Sequence, residues 1–202
     1  EERGFIDSLS ETLLRKAAEA ALSWPRELFL SFNLSSAQLI DPTTAFNTVS
    51  IINRTGLDLS RLELEITETA MMTDPATAQK IVSELRAVGI RIALDDFGTG
   101  QSSLSRLRDF TFDKVKIDRA FVSRISNDKA SEHIIKAIVA MCEGLDLEVV
   151  AEGIEDFSEA LKLKALGCGM GQGYFYGKPQ DAVATTRFLS DRYVSVESRV
   201  AS

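Results

Sequence analysis

Short apolar runs alternate with longer amphipathic segments along this chain of 202 residues. The runs are rich in valine, isoleucine, leucine and phenylalanine, and each intervening segment is long enough for a helix. This pattern predicts repeated βα units and a parallel sheet. The predicted strands are Leu28–Phe32, Leu62–Thr67, Ile90–Leu94, Val115–Ile117, Leu147–Ala151 and Gly169–Gly173.

Capping residues mark the predicted helices, and an apolar stripe runs along each of them. Asp41-Pro42 and Asp74-Pro75 each resemble an N-cap followed by a proline in the first turn, and Gly56 and Gly89 are typical stops. Helical spacing predicts that each stripe packs on the core. In the first two helices the stripes comprise Leu9, Leu13, Ala17, Ala21 and Trp24, then Phe46, Val49 and Ile52.

Polar and charged residues collect where nearly every predicted strand ends. In an α/β barrel the carboxyl ends of parallel strands form one rim, and active sites lie there. Asp95 and Asp96 end one strand and lead into a glycine loop. Adjacent strand residues point to opposite sides, so such a pair spreads into one site only where the strand ends. We expect the rim to carry Asn33, Glu65, Asp95, Asp96, Lys116 and Glu152.

The predicted rim offers oxygen ligands without thiolate or imidazole, which favours Mg²⁺ or Mn²⁺ over zinc. Two such cations about 3.5–4 Å apart suit in-line displacement at a phosphodiester. The residues alone therefore predict a two-metal site for phosphoryl transfer or hydrolysis and leave the substrate open. Two alternatives remain: Lys116 alternates outward, or Glu65 and Glu68 lie on a solvated strand edge.

Composition limits the class of protein. A chain with 45% hydrophobic residues is long enough for one domain with a single core. The net charge of −7 argues against binding nucleic acid through a basic surface. No apolar run approaches the ~20 residues of a membrane span, and no signal peptide is visible. Two cysteines without a metal-type spacing predict no disulfide framework and a cytoplasmic location, and a single histidine excludes a histidine-rich zinc site.

Six motifs resemble, in order and spacing, those of the EAL family of bacterial phosphodiesterases, which linearise cyclic di-GMP. The resemblance implies a modified (β/α)₈ barrel of the TIM type with one antiparallel strand. We expect the barrel domain to cover residues 1–194 and residues 195–202 to form a frayed tail. The motifs are FNLSSAQL (32–39), ELEITET (63–69), DDFGTGQSSL (95–104), KIDRAFV (116–122), VVAEGIE (149–155) and GQGYFYGKP (171–179).

The chain departs from the family pattern at its start. The Glu-Ala-Leu tripeptide that names the family would precede residue 1, so we expect the N-terminal strand region of the barrel to be missing from this sequence and to exist upstream. A barrel of this type typically needs ~250 residues. Gln101 is a lesser departure, at a position where the family usually has an aromatic residue.

The resemblance implies roles for the rim residues. Asn33, Glu65 and Asp95 would ligate one metal ion, together with the glutamate of the absent tripeptide. Asp95 would also bridge to a second ion held by Asp96 and Glu152. Lys116 would orient the attacking water and meet the developing negative charge. The implied cofactors are two Mg²⁺ or Mn²⁺ ions.

Further roles follow from the same resemblance. Glu68 would anchor a regulatory loop that couples dimerisation to metal binding. Glu68 and Glu155 would both be catalytic residues, and Glu155 and Gln172 would complete the polar floor of the site. The candidate contacts to substrate are Ser35, Gln38, Gln172, Tyr174 and Pro179. The loop residues are Phe97, Gly98, Thr99, Gly100, Ser102 and Ser103.

The function implied is hydrolysis of cyclic di-GMP to linear pGpG in bacterial signalling. The partners implied are cyclic di-GMP, a second copy of the chain, and a sensor, receiver or GGDEF domain. The main alternative is a catalytically degenerate receptor that binds cyclic di-GMP without turnover. An interaction-only scaffold is disfavoured because packing alone does not require a rim of carboxylates.

Overall fold

The computed structural model describes residues 2–98, 110–126 and 128–200, and the side chains of residues 8–98, 110–126 and 128–191. Six strands form one parallel sheet in the order of the chain, and the sheet curls into an α/β half-barrel. The strands are β1 (Leu30–Asn33), β2 (Leu62–Thr67), β3 (Arg91–Phe97), β4 (Lys114–Ile117), β5 (Glu148–Ala151) and β6 (Met170–Gly171).

Between β1 and β2, β2 and β3, β4 and β5, and β5 and β6, the described connections contain helices, as is usual for parallel strands. A 3₁₀ turn, Leu59–Arg61, leads into β2. The helices are α1 (Glu2–Ala21), α2 (Ser36–Leu39), α3 (Thr44–Thr55), α4 (Glu68–Met71), α5 (Pro75–Ala87), α6 (Arg119–Val122), α7 (Lys129–Gly144), α8 (Phe157–Ala165) and α9 (Ala182–Val200).

The predicted βα repetition is confirmed, since each predicted strand has a counterpart in the sheet. Within the described ranges every strand pair is parallel, so the antiparallel strand that the resemblance implies is not among them. Helix α9 runs to Val200. The proposed boundary at residue 194 between barrel and tail stays a prediction.

Local capping chemistry defines α5 as predicted but begins α3 two residues later. Asp74 accepts a hydrogen bond from the Thr77 N–H, and Pro75 occupies the first turn. The prediction for Asp41-Pro42 was wrong, because α3 begins at Thr44 with Thr43 as its N-cap. Asp41 instead accepts hydrogen bonds from the N–H and the hydroxyl of Thr43, at 2.9 and 2.8 Å. The carboxylate thus closes a turn before the helix.

The predicted core faces of α1 and α3 were wrong in part. Leu9 and Leu13 are 47% and 49% exposed, and Phe46 is 76% exposed. Adjacent helix positions lie about 100° apart, so apolar residues can occupy two faces of the same helix. Packing against neighbouring elements then decides which of the two faces is buried. The residues that α1 and α3 bury in the core are Leu14, Ala18 and Ala21, then Ala45 and Ile52.

The remaining composition-based expectations concern membrane crossing and cysteine. None of the helices that the structure describes combines the length and apolar character of a membrane-spanning helix. Cys142 and Cys168 are both buried free thiols, which confirms that they form no disulfide framework. Burial raises the pKa of each to about 11, so both are neutral thiols at pH 7.

Asp113 links three strands and a helix at the amino ends of the sheet. Its carboxylate accepts hydrogen bonds from the Ile92 N–H at 2.8 Å and from Arg86 Nη2 at 2.7 Å. Its own N–H donates to the Ile92 carbonyl, and its carbonyl accepts from the Glu148 N–H. Burial alone would raise the pKa of Asp113, but the bonds from Arg86 and Ile92 outweigh it and hold the pKa below the ordinary 3.8.

Asp113→Asn is expected to lower the free energy of unfolding at pH 7 by about 1–2 kcal/mol, because charge-assisted hydrogen bonds are lost. A carboxylate whose folded pKa is lowered contributes stability above its unfolded pKa and loses it as pH falls through the folded pKa. The difference in unfolding free energy between Asp113→Asn and the wild type should therefore become smaller as the pH falls below 3.8, the ordinary pKa of aspartate. Urea denaturation across pH 3–7 measures it. Asp181→Asn is the control, because exposed Asp181 accepts from the Ala184 N–H at 2.8 Å, a bond that asparagine also accepts. A difference that grows on acidification would contradict the assignment.

Candidate metal and catalytic site

Lys116 lies at the centre of three carboxylates that come from neighbouring strands and strand ends of the sheet. Its Nζ is 2.7 Å from Glu65 Oε2, 2.6 Å from Glu152 Oε1 and 3.3 Å from Asp95 Oδ1. The Lys116 side chain is only 4% exposed. These four residues come from β2, β3, β4 and the end of β5. The structure thus brings them together as predicted and excludes the alternative of an outward Lys116.

A bulge in β3 aims Asp95 and Asp96 at the same site. Leu94 pairs with Val115 and Phe97 with Ile117, so β3 carries one extra residue against β4. Asp96 occupies that position with φ of 55°, in the left-handed region that aspartate tolerates better than most residues. Its N–H donates to Asp95 Oδ1 at 3.0 Å. The pair spreads within the strand, whereas the sequence predicted that it would spread at the strand end.

Glycine after Glu152 allows the chain to pass close to α6. Gly153 has φ of 71°, and a Cβ there would lie 2.3 Å from Cγ of Arg119. Any side chain would therefore clash and adopt a strained backbone conformation. Glu152 itself is held from the other side, because its N–H donates to the Ile117 carbonyl at 3.0 Å.

The cluster holds more negative than positive charge. Burial raises the pKa of Glu152 to about 6, although the hydrogen bond from Lys116 opposes the shift. Burial and the neighbouring Asp95 charge raise the pKa of Asp96. Burial would lower the pKa of Lys116, but Glu152 and Glu65 more than reverse this, so the ammonium stays charged. Four carboxylates around one ammonium favour the binding of a further cation.

The arrangement of the carboxylates fits a divalent cation. Asp95, Asp96 and Glu152 each offer an oxygen, and the three oxygens lie within 4.8 Å of one another. Carboxylate oxygens are the ligands that Mg²⁺ and Mn²⁺ prefer. Asn33 pairs in register with Glu65 across β1 and β2, so these two predicted ligands also lie side by side.

The other predicted catalytic residues, Glu68 and Glu155, and the predicted substrate contact Gln172 follow three different strands of the sheet. Glu68 is buried at the start of α4. Glu155 is about half exposed and forms an ion pair with Arg119. Gln172 follows β6, and its N–H donates to the Ala151 carbonyl at 2.8 Å. The catalytic and substrate-binding roles of these residues stay predictions.

The predicted substrate contacts fall in two places. Ser35 and Gln38 cap α2 with each other's polar groups. Gln38 also lines a cavity of about 240 Å³ between α1, α3 and β1, whose lining is mixed polar and apolar. Tyr174 and Pro179 line a surface hollow of about 460 Å³ together with Gln172. Tyr174 is exposed, and the Lys178 ammonium lies 5.8 Å from its ring centroid. Direct contact of these residues with a substrate stays a prediction.

The predicted regulatory loop is described only at its start. Phe97 is buried at the end of β3. Gly98 has φ of 99°, and a Cβ there would lie 2.8 Å from the Phe121 ring. Thr99, Gly100, Ser102 and Ser103 lie outside the described residues.

A second charged layer below Lys116 was missed by sequence analysis. Lys114 Nζ lies 2.6 Å from Glu63 Oε2, and both side chains are 2% exposed. The Lys114 Nζ also lies 4.2 Å from the ring centroid of Phe29. Arg91 pairs with Glu148 at the same level. A period of two, with Glu63 before Glu65 and Lys114 before Lys116, is the signal that both layers share one face.

Asp118 follows β4 and caps α6, because its Oδ1 accepts from the Ala120 N–H at 2.7 Å. Its carboxyl group also contacts Asp96 and contributes to the raised pKa of that residue. Asp118 therefore adds a fifth carboxyl group beside the cluster.

Comparison with known proteins places this site in a family. A model of the EAL domain matches residues 1–179. The cyclic di-GMP phosphodiesterase RocR of Pseudomonas aeruginosa is 34% identical over 175 residues, which cover 87% of this chain and 44% of RocR. The chain spans about a quarter of the length of other curated relatives that it matches, with up to 42% identity.

Solved structures share the fold. The phosphodiesterase PaMucR in complex with c-di-GMP has a TM-score of 0.84 and 33% identity, and the match covers 92% of this chain and 76% of PaMucR. BlrP1 of Klebsiella pneumoniae, in a complex with manganese and cyclic di-GMP, has a TM-score of 0.76 and 31% identity. That match covers 83% of this chain and 43% of BlrP1.

Proposed function

The chain belongs to the EAL domain family, and we propose that it is a metal-dependent phosphodiesterase that hydrolyses cyclic di-GMP to linear pGpG. A relative of the chain carries that phosphodiesterase name, and PaMucR is a phosphodiesterase described in complex with the same dinucleotide. The proposal depends on this chain retaining the chemical groups that such a reaction needs.

The observation that carries the proposal is the carboxylate cluster around Lys116. Glu65, Asp95 and Glu152 all lie within 3.3 Å of its ammonium, and Asp96 lies beside them. Clustered carboxylates by themselves disfavour the binding of a phosphate-containing ligand, because they repel it. They become favourable when cations reverse the sign of the local charge.

The chain offers ligands for two divalent cations. We propose that Asn33, Glu65 and Asp95 hold one, and that Asp95, Asp96 and Glu152 hold the other. Mg²⁺ or Mn²⁺ suits this oxygen donor set, and BlrP1 is described with manganese. When bound, two such cations supply positive charge to the attacking and leaving oxygens of an in-line displacement.

Lys116 contributes a charge that needs no proton transfer. Its pKa is raised by Glu152 and Glu65 in spite of burial, so it remains an ammonium throughout the working pH range. A fixed ammonium at a buried site stabilises negative charge that develops on a phosphodiester and can orient the attacking water. Glu65 and Glu152 hold its Nζ in position from two sides, at 2.7 and 2.6 Å.

The remaining roles form part of the same proposal. Glu68 and Glu155 support the catalytic rim, and Gln172, Tyr174 and Pro179 contact the dinucleotide together with Ser35 and Gln38. Dimerisation through the loop that begins at Phe97, and attachment to a sensor, receiver or GGDEF domain, are supported by the family resemblance alone.

Product analysis tests the proposal. The purified full-length protein, incubated with cyclic di-GMP and Mn²⁺ or Mg²⁺, is expected to release pGpG, which HPLC separates from the substrate. EDTA in excess of the metal should abolish release. Calorimetric binding of cyclic di-GMP without any pGpG would instead favour the receptor alternative, and neither binding nor product would contradict both.

A further inference from the structure

Ser31 on β1 contacts the carboxylate of Glu65 directly. The Ser31 hydroxyl lies 2.6 Å from Glu65 Oε1 and 3.4 Å from Glu63 Oε1. A hydroxyl has one proton to donate, and the shorter contact has the length of a charge-assisted O–H···O⁻ bond. The proton is therefore donated to Glu65. The residue lies opposite Glu63 in the β1–β2 register.

The two oxygens of Glu65 face different partners. Oε2 lies 2.7 Å from Lys116 Nζ, and Oε1 accepts the Ser31 hydroxyl. A glutamate side chain has rotamer freedom that costs free energy to restrict. A bond on each oxygen fixes both the position of the carboxylate and its rotation about the last bond.

The ion pair between Lys114 and Glu63 determines which carboxylate accepts the Ser31 hydrogen bond. Glu63 Oε2 is occupied by Lys114 at 2.6 Å, with both side chains buried. This ion pair holds Glu63 away from the hydroxyl, at 3.4 Å rather than hydrogen-bonding distance for O–H···O⁻. The Ser31 hydroxyl therefore donates to Glu65, which lies nearer the rim of the site than Glu63 does.

We propose that Ser31 is a positioning residue that presents the Glu65 carboxylate to the divalent cation, an inference that rests on the proposed function. Mutation of the hydrogen-bond partner of a metal ligand typically lowers metal affinity or activity by about 10–100-fold. Ser31 acts through Glu65 and need not touch the substrate. Its effect should therefore appear in metal affinity and kcat rather than in the KM for cyclic di-GMP.

Metal titration without substrate tests the inference. Binding of Mn²⁺ is followed by electron paramagnetic resonance for the wild type and for Ser31→Ala, Ser31→Thr and Ser83→Ala. Ser31→Ala should bind Mn²⁺ about 10-fold more weakly, with an unchanged melting temperature and a lower kcat. Ser31→Thr keeps the hydroxyl and should bind as the wild type does. Ser83→Ala removes a hydroxyl that donates to the Gln79 carbonyl on α5, and it should have no effect.

The outcomes separate the inference from the function on which it rests. Wild-type protein that binds no Mn²⁺ would overturn the proposed function and the inference with it. Wild-type binding together with unchanged binding by Ser31→Ala would overturn the inference and leave the function standing. An equal loss in Ser31→Ala and Ser31→Thr would also overturn it, because the effect would then come from packing on β1 and not from the hydroxyl.

Discussion

Lys116→Met is expected to lower kcat for cyclic di-GMP hydrolysis by at least about 100-fold, because it removes a charge aimed at the transition state. The methionine fills a similar volume but leaves Glu65, Asp95 and Glu152 facing one another without their shared ammonium. The affinity for cyclic di-GMP should change less than kcat, since the proposed role is in the chemical step. HPLC of pGpG and calorimetric binding measure the two quantities.

Lys114→Met is the matched control, since both lysines are buried on the same face of β4. Lys114 pairs with Glu63 at 2.6 Å and is not among the proposed catalytic residues. Removing one partner of a buried pair costs about 3–5 kcal/mol of stability, so this variant should melt at a lower temperature. Its folded fraction should lose no more than about 10-fold in kcat, because Lys114 acts on the site only through Glu63 and Ser31. Equal kcat losses in the two variants would show that Lys116 is merely structural.

Asp95→Asn is expected to reduce turnover by at least about 100-fold, because the exchange removes a negative charge shared by both proposed cations. Asp95 lies 3.3 Å from Lys116 Nζ and belongs to the group of oxygens within 4.8 Å of one another. The affinity for Mn²⁺ should fall by about 10-fold or more, because the loss of a metal ligand costs at least as much as the loss of a hydrogen bond to a ligand. HPLC of pGpG and Mn²⁺ titration give the two readouts.

The same exchange at Asp156 is the control for charge loss. Asp156 caps α8 by accepting from the Glu159 N–H at 2.9 Å, and asparagine caps a helix about equally well. Asp156→Asn should therefore retain both turnover and Mn²⁺ affinity. Full turnover in Asp95→Asn would mean that Asp95 is not the shared ligand and that the two cations, if bound, are held by other residues.

Local chemistry made much of the fold predictable from the sequence. Apolar runs separated by helix-length segments led to the six strands, and Asp74 with Pro75 marked the start of α5. Errors arose where two local solutions compete. Asp41 closes a turn before α3 instead of capping it. Phe46 lies on the exposed side of α3 because packing with α1 and α5 decides which apolar face is buried.

The candidate site was likewise predictable from the sequence only in part. The sequence by itself determined which chemical groups reach the strand ends, because strand position and residue type are local properties: Glu65, Asp95, Lys116 and Glu152 each lie in or directly after an apolar run. Only the tertiary structure decided how they meet. The bulge at Asp96, the central place of Lys116 and the bond from Ser31 to Glu65 depend on register between strands. Register is set by packing across the whole sheet, and a one-residue shift would turn every side chain to the other face.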